Sequence, residues 1–291
     1  MRFFICLLLA ACFAGASAQQ SQTAAPAVLQ IYRDPVKPYK MGEYTRIENE
    51  AALACARASV WPYLTVQSMT GPQEVWFLSG FDSYAALEHS AEPFLRNTAL
   101  NAELNRLAEF KASLVNDPRG IYANYRDDLS GNAAFIPPGT RFFSVTMITV
   151  RPGHERDFED IHRTLKAARQ RAGTADNRVV YQVASGMSRN AFLIFSAHHS
   201  LQSAGLALDP AIDDYSSDVD DSTRNRLDDY TRVAVQTSET WIFSVSPSMS
   251  NPAGEWLVDD PEFWRSSAPL QRQAAPKKPA ENSAEIKLPQ G

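Results

Sequence analysis

The sequence predicts an α+β protein: two fused βαββαβ units, residues 27–130 and 140–250, whose sheets pack on each other within one chain, with helices outside. Three observations predict this. The chain carries an internal repeat, since Val36-Lys37-Pro38 returns as Val150-Arg151-Pro152 and Asn105-Arg106-Leu107 as Asn225-Arg226-Leu227. Each half then reads strand, helix, strand, strand, helix, strand. Finally, Val75-Trp76-Phe77-Leu78, Phe192-Leu193-Ile194-Phe195 and Trp241-Ile242-Phe243 are apolar at every position. A strand with one wet face alternates, whereas an unbroken apolar run is buried on both faces.

In the first half, 28–32 reads as a strand. Residues 40–59 read as a helix, with Tyr44, Ile47, Ala51, Ala54 and Ala58 at helical spacing. Cys55 falls among them as a small core residue, a reactive thiol being the other reading. Strands at 63–69 and 74–79 flank the turn Thr70-Gly71-Pro72-Gln73. Asp82 or Ser83 is placed to cap a helix running to Val115 with an interruption near Pro93, and 121–125 closes the unit. In the second half, 142–150 is a strand and 154–171 a helix whose Phe158 and Ile161 match Tyr44 and Ile47. Strands 179–184 and 191–195 follow, then two helical pieces around an acidic insertion, the better one at 222–235, where Tyr230 matches Phe110. Residues 241–245 close the unit. This order is the split βαβ, or ferredoxin-like, arrangement. A lone unit covers one sheet face only, so the doubly apolar strands need a second sheet. It comes from the other half or, alternatively, from a second copy.

The ends read differently. Arg2, the apolar stretch 3–13 and Ala16-Ser17-Ala18 form an export signal over residues 1–18, too short to span a bilayer. Leu9-Ala10-Ala11-Cys12 offers a rival cleavage that would anchor a lipoprotein through Cys12. Either way the expected location is periplasmic or secreted. Residues 19–26 read as a flexible leader and 266–291 as a disordered tail. Between unit and tail, 251–265 carries Trp256, Leu257, Phe263 and Trp264 and is expected to latch onto the barrel. No later run is long and apolar enough to cross a membrane. With a net charge of −5 and no basic stripe, nucleic acid is a poor partner.

Residues 150–162 (Val-Arg-Pro-Gly-His-Glu-Arg-Asp-Phe-Glu-Asp-Ile-His) form a strand end, a turn and an amphipathic helix; residues 36–47 repeat it less well, with Tyr39 where the glycine would be. The pattern resembles the dimeric α/β-barrel superfamily, in particular its NIPSNAP-like and antibiotic-biosynthesis-monooxygenase-like branches, over about residues 27–250. The resemblance implies a barrel made of two such units. It also implies that a ligand or haem can lie between a helix and the sheet, with oxygenase chemistry possible without any universal motif.

Candidate site residues follow from position. His162 borders the helix stripe Phe158, Ile161, Leu165 and Ala168, reads as a boundary histidine partly in water or a pocket residue, and has Glu48 as its counterpart in the first half. Tyr63, Trp76, Tyr181 and Trp241 are strand aromatics that line a pocket or fill the core. His198 and His199 follow the strand ending at Phe195 and read as loop or cap residues, or as ligands. Arg33 marks a strand exit or an anion site. Glu159 and His162 form a lone Glu-x-x-His without the second copy that a di-metal bundle needs. The insertion (Asp209, Asp213, Asp214, Asp218, Asp220, Asp221) lacks an EF-hand pattern, leaving Asp218, Asp220 and Asp221 as weak calcium candidates, with Asp220 and Asp221 also suited to the helix start. No phosphate loop, nucleophile elbow or paired cysteine ligands occur. The expectation is a non-catalytic module binding a small apolar or amphipathic ligand or an envelope protein, with no cofactor predicted. The alternatives are a cofactor-free or haem-handling monooxygenase-type enzyme and a purely structural envelope protein.

Overall fold

The computed structural model describes residues 25–173, 175–208 and 220–265. The export signal with Cys12, most of the leader, Asp209, Asp213, Asp214, Asp218 and the tail lie outside them.

The first unit comprises β1 (Val28–Pro35), α1 (Met41–Arg57), β2 (Leu64–Ser68), β3 (Glu74–Phe81), α2 (Tyr84–His89), α3 (Glu92–Arg96), α4 (Thr98–Ala112) and β4 (Arg119–Tyr125). The second comprises β5 (Phe142–Val150), α5 (Glu155–Ala172), β6 (Arg178–Ser185), β7 (Ala191–His198), α6 (Leu201–Leu208), α7 (Asp221–Val233) and β8 (Val235–Val245). A 3₁₀ turn (Pro247–Met249), α8 (Gly254–Asp259) and α9 (Pro261–Arg265) follow.

The eight strands close into one barrel in the order β1-β3-β2-β8-β5-β7-β6-β4, and every neighbouring pair is antiparallel. Each unit contributes its first strand between its fourth and third, as the split βαβ order requires. The units join where Val66 pairs with Val245 and where Tyr125 pairs with Tyr181. Closure occurs within one chain, so no second copy is needed to cover the apolar strands, and no sheet edge is left open.

Alternate strand residues fill the barrel interior: Leu29, Ile31, Trp76, Phe143, Tyr181, Phe195 and Phe243 are all essentially inaccessible. The remaining alternate residues face the helices and form separate clusters, under α1 and α4 in one unit and under α5 and α7 in the other. This double burial accounts for the unbroken apolar runs. Trp256 and Trp264 stack at 5.3 Å and belong to the interior cluster. Arg141 holds their segment by pairing with Asp260 at 2.5 Å and lying 3.9 Å over the Phe263 ring.

The repeat is visible at the turn after each unit's first strand. Lys37 N donates to Leu114 O and Arg151 N to Ala234 O, both at 2.8 Å, so the same backbone bond ties strand exit to helix end. Gly153 occupies that turn at φ 91°; its counterpart Tyr39 does so at φ 63°, with its ring in solvent. A left-handed residue with a Cβ is strained by about 1–2 kcal/mol, partly offset by the extra entropy a glycine loses on folding. Tyr39→Gly is therefore expected to raise stability by up to about 1 kcal/mol in urea unfolding; a loss would show that Tyr39 makes compensating contacts. Gly71, at φ 74°, is required twice over, since a Cβ there would lie 2.9 Å from the Trp241 ring.

Three elements depart from expectation. The helix expected to run to Val115 with an interruption near Pro93 is broken twice, into α2, α3 and α4. Ser83, not Asp82, caps α2 by accepting from Ala86 N at 3.1 Å, Pro93 sits in the first turn of α3, where its missing N–H costs nothing, and Asn97 caps α4 by accepting from Leu100 N at 3.0 Å. β7 runs through His198 instead of ending at Phe195. β8 starts at Val235 instead of Trp241, because polar residues 237–240 pair with β5 and leave no hydrophobic signal.

Candidate functional site

α1 presents Ile47, Glu48, Ala51 and Cys55 as one stripe, and α4 presents Leu104, Leu107 and Lys111 one turn apart. Between these stripes, the α2–α3 segment and the outer face of the first unit's strands lies a cavity of about 770 Å³. Phe77, Ser79 and Phe81 of β3 form its back wall, with Gln30 and Tyr32 of β1 and Tyr122 of β4 beside them.

Its floor is ionisable. Lys111 Nζ lies 3.0 Å from Glu48 Oε1 and 3.0 Å from Asp34 Oδ2. The Tyr44 hydroxyl donates to the same Asp34 oxygen at 2.7 Å. Two buried carboxylates thus share one ammonium. Burial pushes the Glu48 carboxyl up against the pull of Lys111. Burial pulls the Lys111 ammonium down, but Glu48 and Asp34 reverse this and hold it above its ordinary value. Tyr44 stays protonated, because burial and then Glu48 and Asp34 oppose its ionisation. Nearby, Tyr63 and Cys55 hydrogen-bond each other, and burial raises both above their ordinary values.

The rim is aromatic. Trp61 stacks on Phe81 at 5.1 Å and donates to Gly80 O at 3.1 Å. Tyr84 and Tyr122 meet edge to face at 6.4 Å. Gln30 Nε2 donates to the hydroxyls of Tyr32 (2.9 Å) and Tyr122 (3.3 Å), which fixes both rings. Trp61, Tyr32 and Tyr84 remain about half exposed, and Glu88 is the rim's acidic residue.

At the matched positions of the second unit the side chains are buried. Ile148 stands two residues before Val150 where Asp34 stands two before Val36, His162 replaces Glu48, and Leu165 replaces Ala51. Phe158 stacks on Phe192 at 3.7 Å and on His162 at 4.1 Å, and Tyr230 closes on both at 6.3 and 6.4 Å. The match of Phe110 to Tyr230 is therefore one of sequence only, since Phe110 turns out to solvent and leaves its unit open.

Of the residues singled out by sequence, the structure brings Glu48 and Tyr63 together in the cavity, with Cys55. His162 lies elsewhere. It is fully buried rather than partly in water, its Nδ1 has no hydrogen-bond partner, and burial lowers its pKa to about 3. Glu159 points away from it and pairs with Arg126 at 2.7 Å, so Glu-x-x-His is not a ligand pair here. Trp76, Tyr181 and Trp241 face the barrel interior, not the helices. The Trp76 indole donates to Glu74 at 2.7 Å. Arg33 marks neither a strand exit nor an anion site, because it pairs with Glu74 and lies 4.7 Å over Trp76. His198 is buried on β7 beside the Ser144 hydroxyl at 2.9 Å, while His199, just past the strand and exposed, contacts Gly139 O. Asp220 caps α7 by accepting from Thr223 N at 2.7 Å, and Asp221 pairs with Arg224. Among the described residues, no group of three or more His, Cys, Asp or Glu is placed to hold a metal ion.

Sequence reading missed Lys111, Asp34 and the rim residues Trp61, Tyr32 and Tyr84. The available signal was the repeat itself. Where one copy has Ile148, His162 and Leu165, the other has Asp34, Glu48 and Ala51, a change towards charge and small size. Haem does not fit this cavity. No histidine lines it, and Cys55 and Tyr63 are hydrogen-bonded to each other, with burial raising both above their ordinary values.

No family profile matches the sequence, and no curated protein matches it. Among solved structures, an anthrone oxidase-like protein is 15% identical, with a TM-score of 0.51 over 77% of this chain and 93% of that one. A candidate monooxygenase from Fusobacterium nucleatum is 13% identical, with a TM-score of 0.48 over 76% of this chain and 93% of that one. A NIPSNAP family protein from Agrobacterium tumefaciens is 16% identical, with a TM-score of 0.29 over 34% of this chain and 93% of that one. The likeness is one of fold: this chain has the dimeric α/β-barrel fold, with both ferredoxin-like units in one polypeptide.

Proposed function

We propose that this chain is a binding module for a small amphipathic molecule, held in the cavity of the first unit. One observation carries the reading: at matched positions of the two units His162 lies in a stack of rings, whereas Glu48 lines a cavity of about 770 Å³ with an ionisable floor. Packing alone favours filling both, since an open apolar space forfeits contact energy. A cavity of this size with a few convergent polar groups suits a drug-sized ligand.

The test is to fill it. Ala51→Trp places an indole where Leu165 closes the other unit. It is expected to weaken binding of N-phenylnaphthylamine, followed by fluorescence, by about tenfold or more, while unfolding free energy stays within about 1.5 kcal/mol. Undiminished probe binding would end the reading.

A second reading is catalytic. Glu48 and Tyr63 face the cavity with ionisations shifted by burial, which suits proton transfer, and the fold is shared with an anthrone oxidase-like protein, which makes anthrone the probe of choice. Oxygen uptake with anthrone as probe separates the two readings; uptake abolished by Glu48→Gln would favour the enzyme. We further propose that the protein acts outside the cytoplasm, a reading supported by the apolar stretch and small-residue site at its N-terminus and tested by sequencing the mature N-terminus.

A further inference from the structure

Resting on the binding reading above, we infer that the ligand is a lipophilic amine whose ammonium group seats against Glu48, with its apolar body lying between the aromatic walls. At the floor, two carboxylates face one ammonium. Asp34 receives both Tyr44 and Lys111 on one oxygen, at 2.7 and 3.0 Å, and lies behind the cavity. Its charge offsets that of Lys111. Glu48 lines the cavity and shares that same Lys111, so its own negative charge is the one left over. A buried carboxylate with half a partner is costly, and a cation brought by the ligand removes that cost.

Two further features point the same way. The acidic side chains lining the space, Glu48 and Glu88, outnumber its one basic side chain, Lys111. Its walls carry Tyr32, Trp61, Phe77, Tyr84 and Tyr122, whose ring faces attract cations during passage and bury hydrocarbon at rest. The acidic floor is not repeated at the matched positions of the second unit, where Ile148 and His162 stand for Asp34 and Glu48.

The experiment compares three probes of one shape by titration calorimetry on the folded barrel: naphthylethylamine, naphthylethanol and naphthylacetate. The amine is expected to bind at least tenfold tighter than the alcohol, and the carboxylate most weakly. Glu48→Gln should remove most of the amine's advantage, about tenfold to a hundredfold, while leaving the alcohol within about twofold. Glu88→Gln, on the exposed rim, cannot disturb folding and should cost the amine a smaller factor. Equal binding of all three probes, or preference for the carboxylate, overturns the amine assignment while the binding reading stands. Binding of none of them overturns the binding reading itself.

Discussion

Lys111→Met is expected to destabilise the protein by about 3 kcal/mol at pH 7, because it leaves Asp34 and Glu48 buried side by side with no cation. The figure sits at the low end for buried pairs, since the Lys111 side chain is 29% exposed. The pH dependence gives the test its sign. In the intact protein the folded-state pKa of Lys111 is raised, so its contribution is fully present below its ordinary value of 10.5 and is lost as pH rises through the folded value. In the variant burial raises Glu48 with no ammonium left to oppose it, so the penalty is full at neutrality and falls as that carboxyl takes up its proton in acid. The stability gap between the two proteins should therefore be widest near pH 7 to 9 and narrow in acid. Urea unfolding at pH 4 and pH 7 measures it. A gap that does not change with pH would mean that Lys111 acts through packing of its stem. Adding Glu48→Gln to the variant should recover part of the loss, with a coupling of about 1–2 kcal/mol.

His162→Phe is expected to have little effect at pH 7, within about 1 kcal/mol, and a large one in acid. The folded histidine titrates at about 3, against 6.5 when exposed, chiefly because it is buried and secondarily because Arg178 and Arg169 oppose its charge. A lowered pKa means the stability tied to the neutral ring is present above 6.5 and lost as pH falls from there through about 3. At about 1.4 kcal/mol per pH unit, the loss is of the order of 4 kcal/mol by pH 3. The phenylalanine variant lacks this loss, keeps the stack on Phe158 and removes the unpartnered Nδ1. Its unfolding midpoint should thus exceed that of the parent below pH 5, and the two curves should converge near pH 7. Parallel curves from pH 3 to 7 would show that water reaches the ring when it protonates. The result bears on function, because it would establish that the second unit's counterpart of the cavity is closed core and that the two halves have separated in role.

Much of the fold was legible because its causes are local or periodic. The matched turns at Val36 and Val150, the helix stripe through Tyr44 and Ile47 and the apolar run from Phe192 to Phe195 each carry a spacing that one sequence displays. The breaks at Pro93 and Asn97 were half legible: the proline was visible, but its place inside a first turn was not. Residues 237–240 were illegible as strand, because they are polar and pair with β5 without an apolar face. At the site, Glu48 was found only as the odd partner of His162, and the fates of the two were then opposite, one lining a cavity and the other sealed in a stack. Trp76 and Tyr181 show the commonest failure: an aromatic on a doubly buried strand gives no sign of which face it takes.

The sequence by itself determined the two-unit architecture, the strand and helix order and the need for each sheet to be covered on both sides, since these follow from hydrophobic period and repetition along the chain. Only the tertiary structure decided that Lys111 meets Asp34 and Glu48, that Arg33 is spent on Glu74, and that Glu48 lines a cavity while His162 lies in a stack of rings. Those outcomes depend on side chains 41 to 77 positions apart arriving at one point and on small differences in volume between facing helices. Neither leaves a periodic trace in a single chain.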